Sequence, residues 1–202
     1  MQLVWDMDGT LLDSGVVVPA AFAAAVRQLG GPATTPAEVI GRYSLGTPEI
    51  ILADLVGRAV TAADADAYYR ELAGSDVEPY PGVPEVLAAL RACGHPVTVF
   101  TGASSRAAGI LLASAGVHVD VLVGGDHVRR PKPAGDGLVV AANRLGIPAG
   151  SIAYIGDAPN DLRAARSAGS LGAAAAWGHQ YDPAEPADVT LPDPAAALAL
   201  LD

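Results

Sequence analysis

The chain has 202 residues, 51% of them hydrophobic and 17% charged, and a formal net charge of −10. That length suits one ordinary domain or a core with a modest insertion, and the acidic balance excludes a basic nucleic-acid-binding surface, which needs clustered Lys and Arg. A single cysteine, Cys93, excludes an internal disulfide framework and a Cys-based zinc site.

In chain order, Leu3-Val4-Trp5 reads as a short buried strand and runs directly into Asp6-Met7-Asp8-Gly9-Thr10. Helical patterns follow over 20–29, 47–58 and 61–73, with no convincing strand among them. Glu78-Pro79-Tyr80-Pro81-Gly82 then supplies the turn back. From there strands and helices alternate: helix 83–93, strand Val97–Phe100, helix 104–115, strand Val119–Val123, helix 136–145, strand Ile152–Ile155, helix 160–168 and a fifth strand over 172–176. Such alternation predicts βαβ units and a parallel sheet. The fold class is α/β, a Rossmann-like parallel-sheet core (1–14 and 81–202) with an inserted all-helical domain (15–80). Cys93 lies in the pattern of the 83–93 helix and is expected to be a small buried residue. No basic stretch leads into a long apolar one at the N-terminus, and no apolar run approaches a bilayer's span of about 20 residues. A soluble, cytoplasmic protein is the expectation.

Ligands of an open parallel sheet bind beyond the carboxyl ends of its strands. Asp6 and Asp8, Thr101 and Asp157 each follow a strand run, so all fall at that one edge, and Lys132 lies in a loop that can reach it. Residues two apart on extended backbone point the same way, so the Asp6 and Asp8 carboxylates can flank one substrate. One carboxylate can attack a phosphoryl group and the other can shuttle the proton. Thr101-Gly102 offers a hydroxyl and amides to a phosphate oxygen near a helix start. Lys132, between Pro131 and Pro133, offers a fixed positive charge. Asp157 and Asp161 suit magnesium, which takes oxygen ligands and needs few carboxylates beside a phosphate. Asp157 is the better direct ligand, with Asp161 binding through water or orienting Lys132. Each feature has an ordinary alternative: turn-capping acids, a helix N-cap at Thr101, Ser104 or Ser105, an exposed loop lysine, and for Asp161 a first-turn acid on the helix dipole. Arg129 and Arg130 are expected to face solvent. His95, His118, His127 and His179 show no paired spacing and are not read as metal ligands, while Trp177-Gly178-His179 is placed at the site's margin.

Together these stretches resemble the haloacid dehalogenase superfamily of phosphotransferases. Asp6 through Ser14 is similar to its first motif, and Thr101, Lys132 and Gly156-Asp157 with Asp161 are similar to the second, third and fourth. The resemblance implies that Asp6 is the nucleophile and Asp8 the acid/base. It also implies a Mg2+ ion held by Asp6, Asp157 and the Asp8 backbone carbonyl, with Asp161 nearby, and a helical cap over 15–80. Dehalogenases of the superfamily lack the second acid, so Asp8 favours phosphate chemistry. Pro81-Gly82-Val83, Trp177-Gly178 and Leu191-Pro192-Asp193 add likeness to the phosphoglycolate phosphatase group, which often carries Asn where Gly102 stands. Selectivity is expected from the cap loop with Arg42, Tyr43 and Ser44, and Arg42 is taken as a substrate-binding residue.

The expected function is therefore Mg-dependent hydrolysis of a small phosphorylated metabolite through an aspartyl-phosphate. The alternatives are a phosphomutase of the β-phosphoglucomutase type and a non-catalytic phosphometabolite-binding protein. The expected partner is that substrate alone, with no nucleic acid and no membrane, in a monomer or homodimer.

Overall fold

In the computed structural model, which describes residues 1–201, the first strand β1 (Gln2–Trp5) lies in the interior of a sheet. Leu3, Val4 and Trp5 have no exposed surface at all. A parallel strand covered on both faces needs such a continuous apolar run. The chain then leaves the sheet and forms α1 (Val17–Gln28), α2 (Pro36–Ile40), α3 (Pro48–Val56) and α4 (Ala62–Ala73). Leu11 accepts a backbone hydrogen bond from Tyr80 at 2.9 Å, and Glu78 accepts one from Asp13 at 2.9 Å, so the outgoing and returning segments run side by side.

The remaining chain supplies α5 (Val83–Ala92), β2 (Thr98–Phe100), α6 (Ser105–Ser114), β3 (Val121–Val123), α7 (Asp136–Leu145), β4 (Ile152–Gly156), α8 (Pro159–Ala168), β5 (Leu171–Ala175) and β6 (Val189–Leu191). All strand pairs are parallel, in the order β3-β2-β1-β4-β5-β6. Alternate residues of one strand face opposite layers. Leu3 and Trp5 join a cluster with Val86, Leu90 and Leu111, whereas Val4 joins Phe100, Leu138 and Tyr154. Helices therefore cover both faces.

Three expectations need correction. The strand β6 was not anticipated, nor was α2, although α2 opens with a capping box in which Thr35 and Glu38 bond reciprocally. Cys93 is exposed rather than buried. Helix α5 buries Val83, Val86, Leu87 and Leu90 and ends at Ala92, and the chain turns away at Gly94, which has φ +79°. The helix is over before its buried stripe reaches Cys93.

The strand order reverses direction between β1 and β4, the place where open α/β sheets leave a crevice at their carboxyl ends. Trp5 pairs with Ile155 across that gap. Asp6 and Asp157 each come one or two residues later, so the two carboxylates emerge side by side.

Candidate active site

Lys132 is the only lysine in the chain, and it stands at the centre of the crevice. Its Nζ donates to Asp6 Oδ1 at 2.8 Å, to Asp161 Oδ1 at 2.6 Å and to the Tyr154 hydroxyl at 3.0 Å. Tyr154 in turn donates to the Phe100 carbonyl at 2.9 Å. These contacts tie β1, β2, β4, α8 and the Lys132 loop to one ammonium group. Asp161 also accepts from the Ala158 amide at 3.0 Å, so it caps its own helix and orients the lysine at once.

Asp6, Asp157 and Asp161 are all buried, and one carboxylate oxygen of each lies within 4.8 Å of the others. Asp157 is fixed by the Gln180 amide at 2.8 Å and faces the Thr10 hydroxyl at 3.4 Å. Burial pushes Asp157 up to about 6, with Asp161 adding to the shift against the Gln180 amide. Burial, reinforced by Asp161, also raises Asp6 despite the lysine. For Lys132 burial acts downward, but Asp161 and Asp6 outweigh it and hold the ammonium charged. Three buried carboxylates thus share one positive charge. That surplus of hard oxygen donors fits a divalent cation such as magnesium. The Asp8 carboxylate is not part of this group.

Asp8 sits beside it in another environment. Its Oδ1 accepts from the Ser14 hydroxyl at 2.5 Å. Burial raises the Asp8 carboxyl, partly offset by Ser14 and by the charge of Lys132. The two acids of the first motif are thereby distinguished: Asp6 faces the lysine and Asp8 a hydroxyl.

The turn between them and the helices leaves no spare volume. Gly9 has φ +81°, and a Cβ there would lie 2.3 Å from Asp157 Oδ2. A Cβ on Gly178 would lie 2.2 Å from Asp157 Cβ and 2.3 Å from the Gly9 carbonyl. Trp177 Nε1 donates to the Thr10 carbonyl at 2.9 Å and closes this turn from behind. Gly102, by contrast, would present a Cβ to open space, with Lys132 Cε at 3.9 Å its nearest neighbour.

A cavity of about 210 Å³ opens over these groups, lined at its floor by Asp6, Asp8, Thr101, Gly102, Lys132 and Asp161. Thr101 is buried, and its hydroxyl accepts from the Ala103 amide at 3.1 Å; Ser104, not Thr101, caps α6. Tyr43, Ser44 and His179 also line the cavity. Arg42 does not. It donates to Asp54 Oδ2 at 2.5 Å and to the Glu38 carbonyl at 2.7 Å, which turns its guanidinium along the helices and away from the opening. Arg42, expected to bind substrate, is thus engaged by Asp54 and not among the residues that line the cavity. Arg129 and Arg130 are exposed, and Arg130 pairs with Asp136 at 2.6 Å.

Sequence reasoning passed over Tyr154 and Phe22. Tyr154 read only as a strand residue, and no spacing linked its hydroxyl to a lysine 22 positions earlier. Phe22 read only as a helix-face residue, although it too lines the cavity.

A family model for haloacid dehalogenase-like hydrolases matches residues 2–169. The chain belongs to that family. Among its relatives, a probable phosphatase IndB of Dickeya dadantii is 32% identical over 87% of this chain and 81% of its own length. A phosphoglycolate phosphatase of Chromobacterium violaceum is 32% identical over 94% of this chain and 90% of its own. Among solved structures, CbbY from Rhodobacter sphaeroides in complex with phosphate superposes with a TM-score of 0.83 at 23% identity, covering 100% of this chain and 98% of that one. As a haloacid dehalogenase-like hydrolase, the protein carries the family's α/β core, and its named relatives across nearly the whole length are phosphatases.

Proposed function

We propose that this phosphatase of the haloacid dehalogenase-like family hydrolyses a small phosphate monoester through a phosphoryl group carried on Asp6. The observation that supports this most is the arrangement around Lys132, whose ammonium bonds Asp6 and Asp161 beside a separately tuned Asp8. In this reading an Asp6 oxygen attacks phosphorus in line, and the bond to the ester oxygen breaks opposite it. Asp8, raised by burial, donates its proton to the leaving alkoxide. It then takes a proton from the water that cleaves the acyl phosphate and returns Asp6 to its starting state.

Lys132 and the Thr101 hydroxyl hold the non-bridging oxygens, and Lys132 offsets their charge at a fixed position. Asp6, Asp157 and the Asp8 backbone carbonyl would hold Mg2+, with Asp161 close by. When bound, that ion supplies charge neutralisation at the phosphoryl oxygens. Residues 15–80 act as a cap whose helices roof the cavity and keep bulk water from the acyl phosphate.

The phosphomutase alternative asks for polar groups opposite Lys132 to hold a sugar's hydroxyls. The wall there is mostly apolar, which supports hydrolysis. The test is Asp6→Asn with a generic phosphomonoester and magnesium. We expect turnover to vanish and the acid-quenched wild-type, but not the variant, to carry a phosphoryl group on the peptide containing residue 6. Sustained hydrolysis by the purified variant would overturn the reading.

A further inference from the structure

The wall of the cavity opposite Lys132 comes from the helical segment, and it lacks something. It is built from Val18, Phe22, Ile40, Pro48, Ile51 and Tyr68. The segment owns four arginines, Arg27, Arg42, Arg58 and Arg70, and none of them lines the cavity. Arg42 is engaged by Asp54 and Arg58 by Asp64. Lys132 is alone among the chain's twelve Lys and Arg residues in reaching the opening. It is already shared between two carboxylates and is the counter-charge for the transferring phosphoryl group.

A substrate bearing a second anion, either a carboxylate or another phosphate, would place that charge against this apolar wall. An ion removed from water without a partner is costly, and binding sites reject it for that reason. The polar atoms available on this side belong to Ser44 and to the Tyr43 and Tyr68 hydroxyls, for which no protein hydrogen-bond partner occurs among the described residues. Tyr68 is 2% exposed, and its ring stacks on Phe22 with centroids 4.1 Å apart. A mainly hydrocarbon lining with two or three neutral hydroxyls suits an uncharged ring or short chain with an occasional hydroxyl or carbonyl.

We propose that the ester cleaved here has an uncharged, mainly apolar alcohol as its leaving group, and that monoesters with a second anionic group are poor substrates. The inference rests on the phosphatase reading above and narrows it; it also sets this chain apart from relatives named for phosphoglycolate.

The experiment is a comparison of kcat/KM for two matched pairs in magnesium at one fixed pH. The pairs are benzyl phosphate with 4-carboxybenzyl phosphate, and 2-methoxyethyl phosphate with phosphoglycolate. The uncharged member should exceed its charged partner at least about tenfold in each pair. Equal or better turnover of the carboxylated esters would overturn the substrate class and leave the phosphatase reading intact. If the folded enzyme turns over none of the four, both fall together. A variant gives an independent check. Ile40 lines the cavity yet is 43% exposed, so Ile40→Arg should fold and add the missing charge. It should shrink the gap in both pairs by about tenfold. A gap unchanged by the added guanidinium would show that the absent cation does not set selectivity.

Discussion

The floor and the roof of the cavity follow opposite rules. At the floor, nearly every polar atom has a partner: Lys132 has three, Asp161 has three, and Asp157 is held by an amide and faced by a hydroxyl. In the roof, Tyr43, Tyr68 and Ser44 line the cavity with no protein hydrogen-bond partner among the described residues, and the rest of the lining is mostly apolar. A fully bonded buried network admits few substitutions because each loss strands a charge or a donor. A hydrocarbon wall exchanges one side chain for another at the cost of volume alone. Under the proposed function, the densely bonded sheet edge would specify the chemistry and the loosely constrained helical wall would select the ester.

The largest expected break in this comparison is at the floor. Lys132→Met would leave Asp6 and Asp161 as uncompensated buried carboxylates, a change worth about 3–5 kcal/mol when one partner of a buried pair is removed. Turnover should fall by about a hundredfold or more through loss of charge stabilisation. Denaturant unfolding and steady-state kinetics measure the two losses. Full retention of either would mean the lysine is not the hub of the floor.

Next comes Gly178→Ala. The added methyl would meet Asp157 Cβ and the Gly9 backbone at 2.2 and 2.3 Å, so the turn carrying Asp157 must move. Overpacking of this kind costs about 1–3 kcal/mol. Activity should fall more than stability, because the displaced group is in the carboxylate cluster. The ratio of kcat to unfolding midpoint in the variant tests this, and an unchanged kcat would contradict it.

A smaller effect is expected in the helical segment. Arg42→Ala removes a half-exposed ion pair with Asp54, worth about 1 kcal/mol at most. The ranking of substrates should stay as in the wild type, since the guanidinium faces away from the cavity. A changed ranking would restore Arg42 to the site.

The smallest effect lies far from the cavity. The Thr61 amide, then Arg58 and the Thr61 hydroxyl, hold the Asp64 carboxyl at about 2 against its ordinary 3.8. A carboxyl lowered by folding contributes stability that is fully present above 3.8 and is lost as pH falls through about 2. Wild type should therefore be slightly more stable than Asp64→Asn at about pH 6, with the difference fading toward pH 2. Urea midpoints across that range give the measurement.

Much of the floor was legible in the sequence because strand ends and loop residues carry local signals. Asp6 and Asp8 announce themselves by sitting next to a buried run, and Asp157 by following another. The core strands β1 and β4 were legible for the same reason: a strand buried on both faces has to be apolar throughout. The edge strand β6 was not, since three residues including an exposed Thr190 give no run to detect. Arg42 was placed with Tyr43 and Ser44 in one loop of the helical segment, but its direction is set by Asp54 in α3, a contact no local pattern encodes. Phe22 and Tyr68 carried the ordinary mark of helix-face residues. Both are core residues, their rings stacked on each other where α1 packs on α4, and only that packing also brings them to the cavity lining.

The scarcity of lysine has a consequence outside catalysis. Every positive side chain on the surface is a guanidinium, so side-chain amine chemistry is confined to the cavity floor. An acylating reagent that ignores guanidinium groups would find one lysine to label, already bonded to Asp6 and Asp161. The rate of that labelling becomes a direct gauge of how firmly the floor is held, and any ligand that fills the cavity should protect it. For the same reason, any reversible lysine acylation within this sequence would fall at the cavity floor and nowhere else.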